Sequence, residues 1–285
     1  MISHFWTDLQ SFHFLQNALF TSVTIGIVAG VLGSFIILRG MSLMGDAISH
    51  SVLPGVAVSF LIGIHPVLGA IAFGIFAALL ITTIQQHSVI KSDTAIGITF
   101  STFLALGVIL IGLVHTTTNL FHILFGNVLA VQDSDMVLTI IISLIVLVVI
   151  LLFYKQLLLT SFDPAAAQAW GMNVAVYHYL LMIMLTLVAV VSMQSVGTIL
   201  IVALLITPAA TAYMFVNQLH TMIWAAAAIG GTVSLVGLVL GYSFNIPVGS
   251  CIVICGTAVF ALSFPFSPKQ NLLWRKKNVQ TKKAD

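Results

Sequence analysis

Asp163 and Lys269 bracket a stretch with no Asp, Glu, Lys or Arg, and a second such stretch lies between Asp46 and Lys91. A water-soluble domain carries about 25% charged residues because its surface faces water; this chain has 6%, with 60% hydrophobic residues and a mean hydropathy of +1.18. Hydrocarbon is the solvent that suits such runs, and a helix crosses it with roughly 20 apolar residues. On that length the pattern predicts helices over 17–38, 45–62, 66–86, 94–114, 136–154, 174–193, 196–217, 221–242 and 246–266. Lipid offers peptide groups no hydrogen-bond partner, so a spanning segment is a helix or part of a closed barrel. The runs lack the alternation of barrel strands. The expected fold is all-α, a polytopic integral membrane protein of about nine transmembrane helices. One transmembrane domain, residues 1–268, is followed by a basic tail, 269–285.

Orientation follows from the cations. Arg39, Lys91, Lys155 and the tail residues Lys269, Arg275, Lys276, Lys277, Lys282 and Lys283 all fall on one side of a bundle with an odd number of spans. The positive-inside rule makes that side the cytoplasm. The N-terminus, with no Lys or Arg before residue 39, is then expected outside, and without a basic n-region a cleaved signal peptide is not expected. The tail suits contact with water and anionic lipid heads. Gly26 and Gly30, and Gly237 and Gly241, recur one helical turn apart, a spacing that admits close helix crossing; a glycine-rich apolar chain also produces it by chance.

Asp46 and His50 stand out against this background. At i and i+4 on a helix they share a face. An aspartate at membrane depth costs about 2.5 kcal/mol or more on insertion scales, so it faces a bundle interior or a watery path. Three readings stay open on spacing alone: a structural Asp–His bond or helix N-cap, a metal or substrate site, and a proton relay. The other histidines are weaker. His65, His115 and His122 fall in predicted outer loops, while His87, His178 and His220 lie at boundaries where they serve as anchors. Cys251 and Cys255 read as packing thiols, since consecutive turns of a straight helix aim them poorly for a disulfide.

Absences narrow the function. No segment matches the G-x-x-x-x-G-K-[ST] phosphate loop, so ATP hydrolysis by that machinery is not expected of this chain. The chain has no glutamate, which excludes an H-E-x-x-H metalloprotease. Nucleic-acid binding has no support beyond the short basic tail. On the cytoplasmic side, "SFDPAAAQAWGM" (161–172) reads as a short helix with Asp163 as N-cap, Pro164 at the first helical position and Gly171 as the stop. It is either a connector or a helix that docks in a groove of another protein.

"RGMSLMGDAISHSVLPGVAVSF", "FDPAAAQAWGM" and "VGTILIVALLITPAATAYM", in that order and spacing, resemble the permease subunits of bacterial ABC transporters for manganese, zinc or iron. The likeness extends over essentially the whole chain and is strongest to manganese importers of Gram-positive bacteria. It implies the fold of metal-chelate and vitamin B12-type importers. It also implies a homodimer of permeases, two cytoplasmic ATPase subunits and an extracellular metal-binding protein that delivers the ion, with no permanently bound cofactor. By the same resemblance, Phe162, Asp163, Pro164, Ala166, Ala167 and Gly171 belong to the helix that couples to the ATPase. Asp46 and His50 become metal-pathway residues, and Pro208 falls where the family has a kinked span. Carboxylate and imidazole together suit Mn²⁺, Fe²⁺ and Zn²⁺, and the lack of a placed thiolate argues against copper(I). Two ligands cannot strip a hydrated dication, whereas two copies about a twofold axis supply four. A proton-coupled secondary transporter using the same pair is the alternative, disfavoured because no second intramembrane acid is evident.

The topology is testable directly. Cysteines placed at Ser3 and Thr281 should differ in labelling of intact cells, Ser3→Cys reacting with an impermeant maleimide and Thr281→Cys not. Equal reaction at both ends would contradict an odd number of spans.

Overall fold

A computed structural model describes residues 2–113 and 126–269 of the chain, without the side chains of Ile2, Ser3, His4 and Trp6. Every regular element among the described residues is helical. In chain order these are α1 (Ile2–Ser11), α2 (His13–Leu38), α3 (Met44–Ile62), α4 (Pro66–His87), α5 (Ser92–Leu113), α6 (Asp133–Leu152), α7 (Tyr154–Phe162), α8 (Pro164–Ala169), α9 (Val174–Val196), α10 (Thr198–Phe215), α11 (Leu219–Phe244) and α12 (Val248–Ser263). Among the described residues, nine helices are long and apolar enough to cross a membrane: α2 to α6 and α9 to α12, the last continued to Phe266 by a short 3₁₀ turn. They coincide with the expected spans to within a few residues. His115, His122 and the tail from residue 270 lie outside the described residues.

The spans divide by burial. In α2, 72% of the most apolar window is buried, against 22% in each of α5, α6 and α12. So α2 is the central strut, and the other three present apolar side chains outward. α2 packs along α11 and α10, while α3 lies between α4 and α5. The α2–α11 crossing is made by small residues. A methyl group on Gly26 would overlap the Gly230 carbonyl oxygen and Ser234 Oγ, and one on Gly30 would overlap the Ala226 carbonyl. Where lipid tails are as apolar as the side chains, such close backbone approach and its dispersion energy replace the hydrophobic drive. Gly237 and Gly241 serve likewise, packing directly on Ile252 and Val248 of α12. Both spaced glycine pairs are therefore true interfaces. A third crossing, Gly55 of α3 on Gly69 of α4, carries no such pair on either helix.

Several turns between spans are minimal. α9 and α10 are separated by Gly197 alone, whose φ of 88° is open to glycine and strained for other residues. α1 is an element the apolar runs did not reveal. Ten residues cannot span; instead the fully buried Phe5 stacks edge-on against Tyr242 of α11 at 5.8 Å, and the Tyr242 hydroxyl donates to Asp8 Oδ2 at 3.0 Å. At the opposite end of the chain, Lys269 Nζ donates to the carbonyls of Tyr213 and Val216, both at 2.7 Å, and sits over the Tyr213 ring. A cation at a helix C-terminus satisfies orphan carbonyls and opposes the dipole. The first residue of the basic tail thus clamps the end of α10.

The glycine crossing gives a stability prediction. Gly26→Leu should lower the stability of the solubilised protein by about 1–3 kcal/mol or more, as overpacking does. Gly97→Ala on α5, where an added methyl meets open space, should stabilise by roughly 0.5–1 kcal/mol. Fluorescence-detected thermal unfolding in detergent measures both; equal midpoints would contradict the crossing.

Candidate functional site

Asp46 enters the site through local structure. α3 begins at Met44 with Leu43 at its N-cap position and no capping side chain. Asp46 is therefore inside the first turn, favoured there by the helix dipole, and does not act as the cap. Its carboxylate points along the helix to His50, with Oδ1 to Nε2 at 3.4 Å. The two side chains are 42% and 21% exposed, an acid more open than its imidazole partner. The His50 ring is braced by Phe100 of α5, edge to face at 5.0 Å. Its Nδ1 is buried and has no hydrogen-bond partner. One turn further along, Pro54 lacks the amide that would bond the His50 carbonyl.

The pair opens onto a cavity of about 390 Å³. Its far wall is α10 from its first residue, Thr198, through Val202 and Ala203 to Ile206, with Val253 from α12. The cavity is almost wholly apolar apart from Asp46, His50 and Thr198. Ile199, on the same wall, is half exposed at the surface of the chain. Two donors each about 2.1 Å from one ion lie roughly 3 Å apart when they meet it near a right angle. The observed 3.4 Å separation is compatible with that geometry. No group of three or more His, Cys, Asp or Glu side chains able to hold a metal occurs among the described residues. Among the described residues, then, two candidate donors meet here and no third joins them.

The other residues singled out by sequence fall elsewhere. His65 precedes α4 as its N-cap residue, and His87 bonds the Thr83 carbonyl of its own helix. His220 accepts from Trp224 Nε1 at 3.2 Å beside Tyr154, an interfacial aromatic cluster. Cys251 and Cys255 are free. His178 is more than a boundary anchor, because it meets Arg39.

α8 is built as its residues predict. Asp163 caps it, Oδ1 accepting from the Ala166 amide at 2.9 Å, and Gly171 ends it with a φ of 79°. Its faces are unequal. Ala167 is fully buried against the rest of the chain and Ala166 partly so, whereas Phe162, Ala165, Gln168, Ala169 and Trp170 point outward. Trp170 is 77% exposed and Phe162 55%, so two large apolar side chains stand at either end of the helix. Sequence reasoning missed Trp170; an aromatic beside a glycine stop was the available signal.

Nine apolar helices among the described residues, an acid–imidazole pair open to a cavity and a short capped helix together have the make-up of a membrane transport protein. Residues 11–267 match the ABC 3 transport family, and the chain belongs to it. It is 62% identical over 276 residues to the manganese import system permease protein ScaB of Streptococcus gordonii, covering 97% of this chain and 99% of that one. Among solved structures it resembles PsaBC from Streptococcus pneumoniae in complex with Fab, at a TM-score of 0.87 and 60% identity, over 97% of this chain and 100% of the other. A metal-chelate type ABC transporter in an inward-facing conformation shares the fold at a TM-score of 0.71 and 16% identity, over 87% and 85% of the two chains.

The two faces of α8 give a prediction. Ala167→Glu buries an unpaired carboxylate and should sharply reduce folded protein in the membrane. Ala169→Glu should accumulate like the wild type. Size-exclusion profiles of fluorescent fusions compare them, and equal loss in both would contradict the inward placement of Ala167.

Proposed function

We propose that this chain is the permease subunit of an ATP-driven importer that carries manganese across the bacterial plasma membrane. The observation that carries the reading is the Asp46–His50 pair, donor atoms 3.4 Å apart, open to a cavity between α3 and α10. Family membership and the manganese permeases among its relatives favour an ABC importer over a proton-coupled carrier using the same pair. A carboxylate and an imidazole suit a first-row dication, and the acid supplies the charge that an apolar cavity lacks. Zn²⁺ or Fe²⁺ would be accepted by the same donors, so selection rests largely with an extracellular delivery protein.

In this reading two copies pair so that their cavities face each other, giving two carboxylates and two imidazoles about one path. Four donors with two negative charges replace enough hydration to admit Mn²⁺ without caging it. Hydrolysis of ATP falls to separate cytoplasmic subunits that grip the outward face of α8, with Phe162 and Trp170 as its apolar anchors. The N-terminus lies outside, and the tail from Lys269 lies in the cytoplasm.

Asp46→Asn keeps the shape of the side chain and removes its charge, and His50→Ala removes the nitrogen donor. Loss of a partner in the outer shell of a metal site costs 10–100-fold, so loss of a direct ligand should lower uptake on the order of tenfold or more. Uptake of radioactive manganese in a deletion strain, at matched membrane levels, measures it. Wild-type uptake by Asp46→Asn would overturn the metal-path reading. Ala169→Glu should keep the protein folded while ATP hydrolysis no longer drives uptake; normal coupling would make α8 a connector.

A further inference from the structure

Arg39, which directly follows α2, ties together the segments on both sides of α8. Its Nε donates to Ser161 Oγ at 2.9 Å and its Nη2 to Thr160 Oγ1 at 3.0 Å, both on the last turn of α7. Its Nη1 lies 2.9 Å from His178 Nδ1, on the second turn of α9. A guanidinium only donates, so Nδ1 accepts and the His178 proton sits on Nε2. The two hydroxyls give their own protons back to α7, Thr160 to the Gln156 carbonyl at 2.9 Å and Ser161 to the Leu157 carbonyl at 2.6 Å. Their lone pairs are thereby turned to the arginine. Burial draws the Arg39 pKa down to about 10, so it remains a cation at neutral pH. Among the described residues no carboxylate pairs with it.

A cation held half-buried by hydroxyls and a neutral ring is a costly way to fasten helices if fastening is all it does. Its placement points further. Thr160 and Ser161 lie three and two residues before the Asp163 cap of α8, and His178 follows α8 by a four-residue loop and the first turn of α9. α8 packs against α7 and α9, its neighbours in the chain. Arg39 therefore holds both flanks of α8. Beyond Arg39, residues 40–43 lead straight into the first turn of α3, where Asp46 sits. A rigid planar fork can hold two elements at once, which an ammonium on a flexible stem does poorly.

We propose that Arg39 is a positioning residue that transmits displacement of α8 to the start of α3, and so to the alignment of Asp46 and His50. The idea rests on the reading of α8 as the helix that docks the ATPase. It is tested in proteoliposomes holding the complete transporter, by manganese import and ATP hydrolysis measured together. Arg39→Met should assemble, hydrolyse ATP at near the wild-type rate, and import at a maximal rate roughly five- to tenfold lower, within the range expected along coupling elements. The manganese concentration for half-maximal import should not change. Arg39→Lys should recover only part of the rate. A role in folding alone would lower import and hydrolysis together, per assembled complex, and would overturn the proposal; so would a normal ratio of ATP to manganese in Arg39→Met. Should that variant fail to assemble, the double change Thr160→Val with Ser161→Ala leaves the arginine in place and should raise the same ratio, and a wild-type ratio there overturns the proposal equally. Ala169→Glu separates the two ideas. Uncoupling by Ala169→Glu with normal coupling in Arg39→Met removes the link and leaves the docking face. Normal coupling in Ala169→Glu removes the docking face and this proposal with it.

Discussion

Peptide groups have no partner in hydrocarbon, and the architecture of this chain follows from that one constraint. Each amide and carbonyl must be satisfied within its own helix, so the spans are continuous, and several connections are short, down to the single Gly197 between α9 and α10. With apolar side chains on every face, there is little to gain from hiding them from lipid. Helices therefore associate where backbones can touch, at Gly26 on Gly230, Gly30 on Ala226 and Gly55 on Gly69. Prolines inside α3 and α10 break the rule locally, and both helices border the Asp46–His50 cavity.

The same constraint makes polar residues informative. Asp46 and His50 are exposed to a cavity yet flanked by aliphatic walls, so with Thr198 they are the polar groups that a solute in it would meet. Among the described residues of one chain the pair offers two donors and an outward opening. In the proposed function that openness suits transport, where a closed ligand cage would hold the ion too tightly. Away from the cavity, polar groups tie helices to one another instead. Arg39, Thr160, Ser161 and His178 form a knot around α8, and Lys269 clamps the end of α10. Each helix that borders the cavity thus has a cation near one end, Arg39 shortly before the start of α3 and Lys269 at the end of α10.

Local chemistry was legible in the sequence and tertiary pairing was not. Apolar run length located the spans, because a bilayer has one thickness. Asp163, Pro164 and Gly171 announced α8 through cap and stop rules that depend only on neighbours in the chain. The i, i+4 spacing of Asp46 and His50 likewise survives in the structure. By contrast, α1 has too few apolar residues to register as a span and depends on Phe5 meeting Tyr242. Arg39 read as a topology marker, since its partners lie more than a hundred residues away. Ala166 and Ala167 looked equivalent in an alanine run; only the packing of α8 shows that one turns fully inward.

The central claim is that Asp46 and His50 of two copies share one manganese ion. Pulsed electron paramagnetic resonance of Mn²⁺ bound to the complete transporter reads nitrogen ligands directly. The account predicts one ion per two permease chains, with hyperfine coupling from two equivalent imidazole nitrogens that disappears in His50→Ala. A bound ion with no nitrogen coupling, or with coupling that survives His50→Ala, would contradict it.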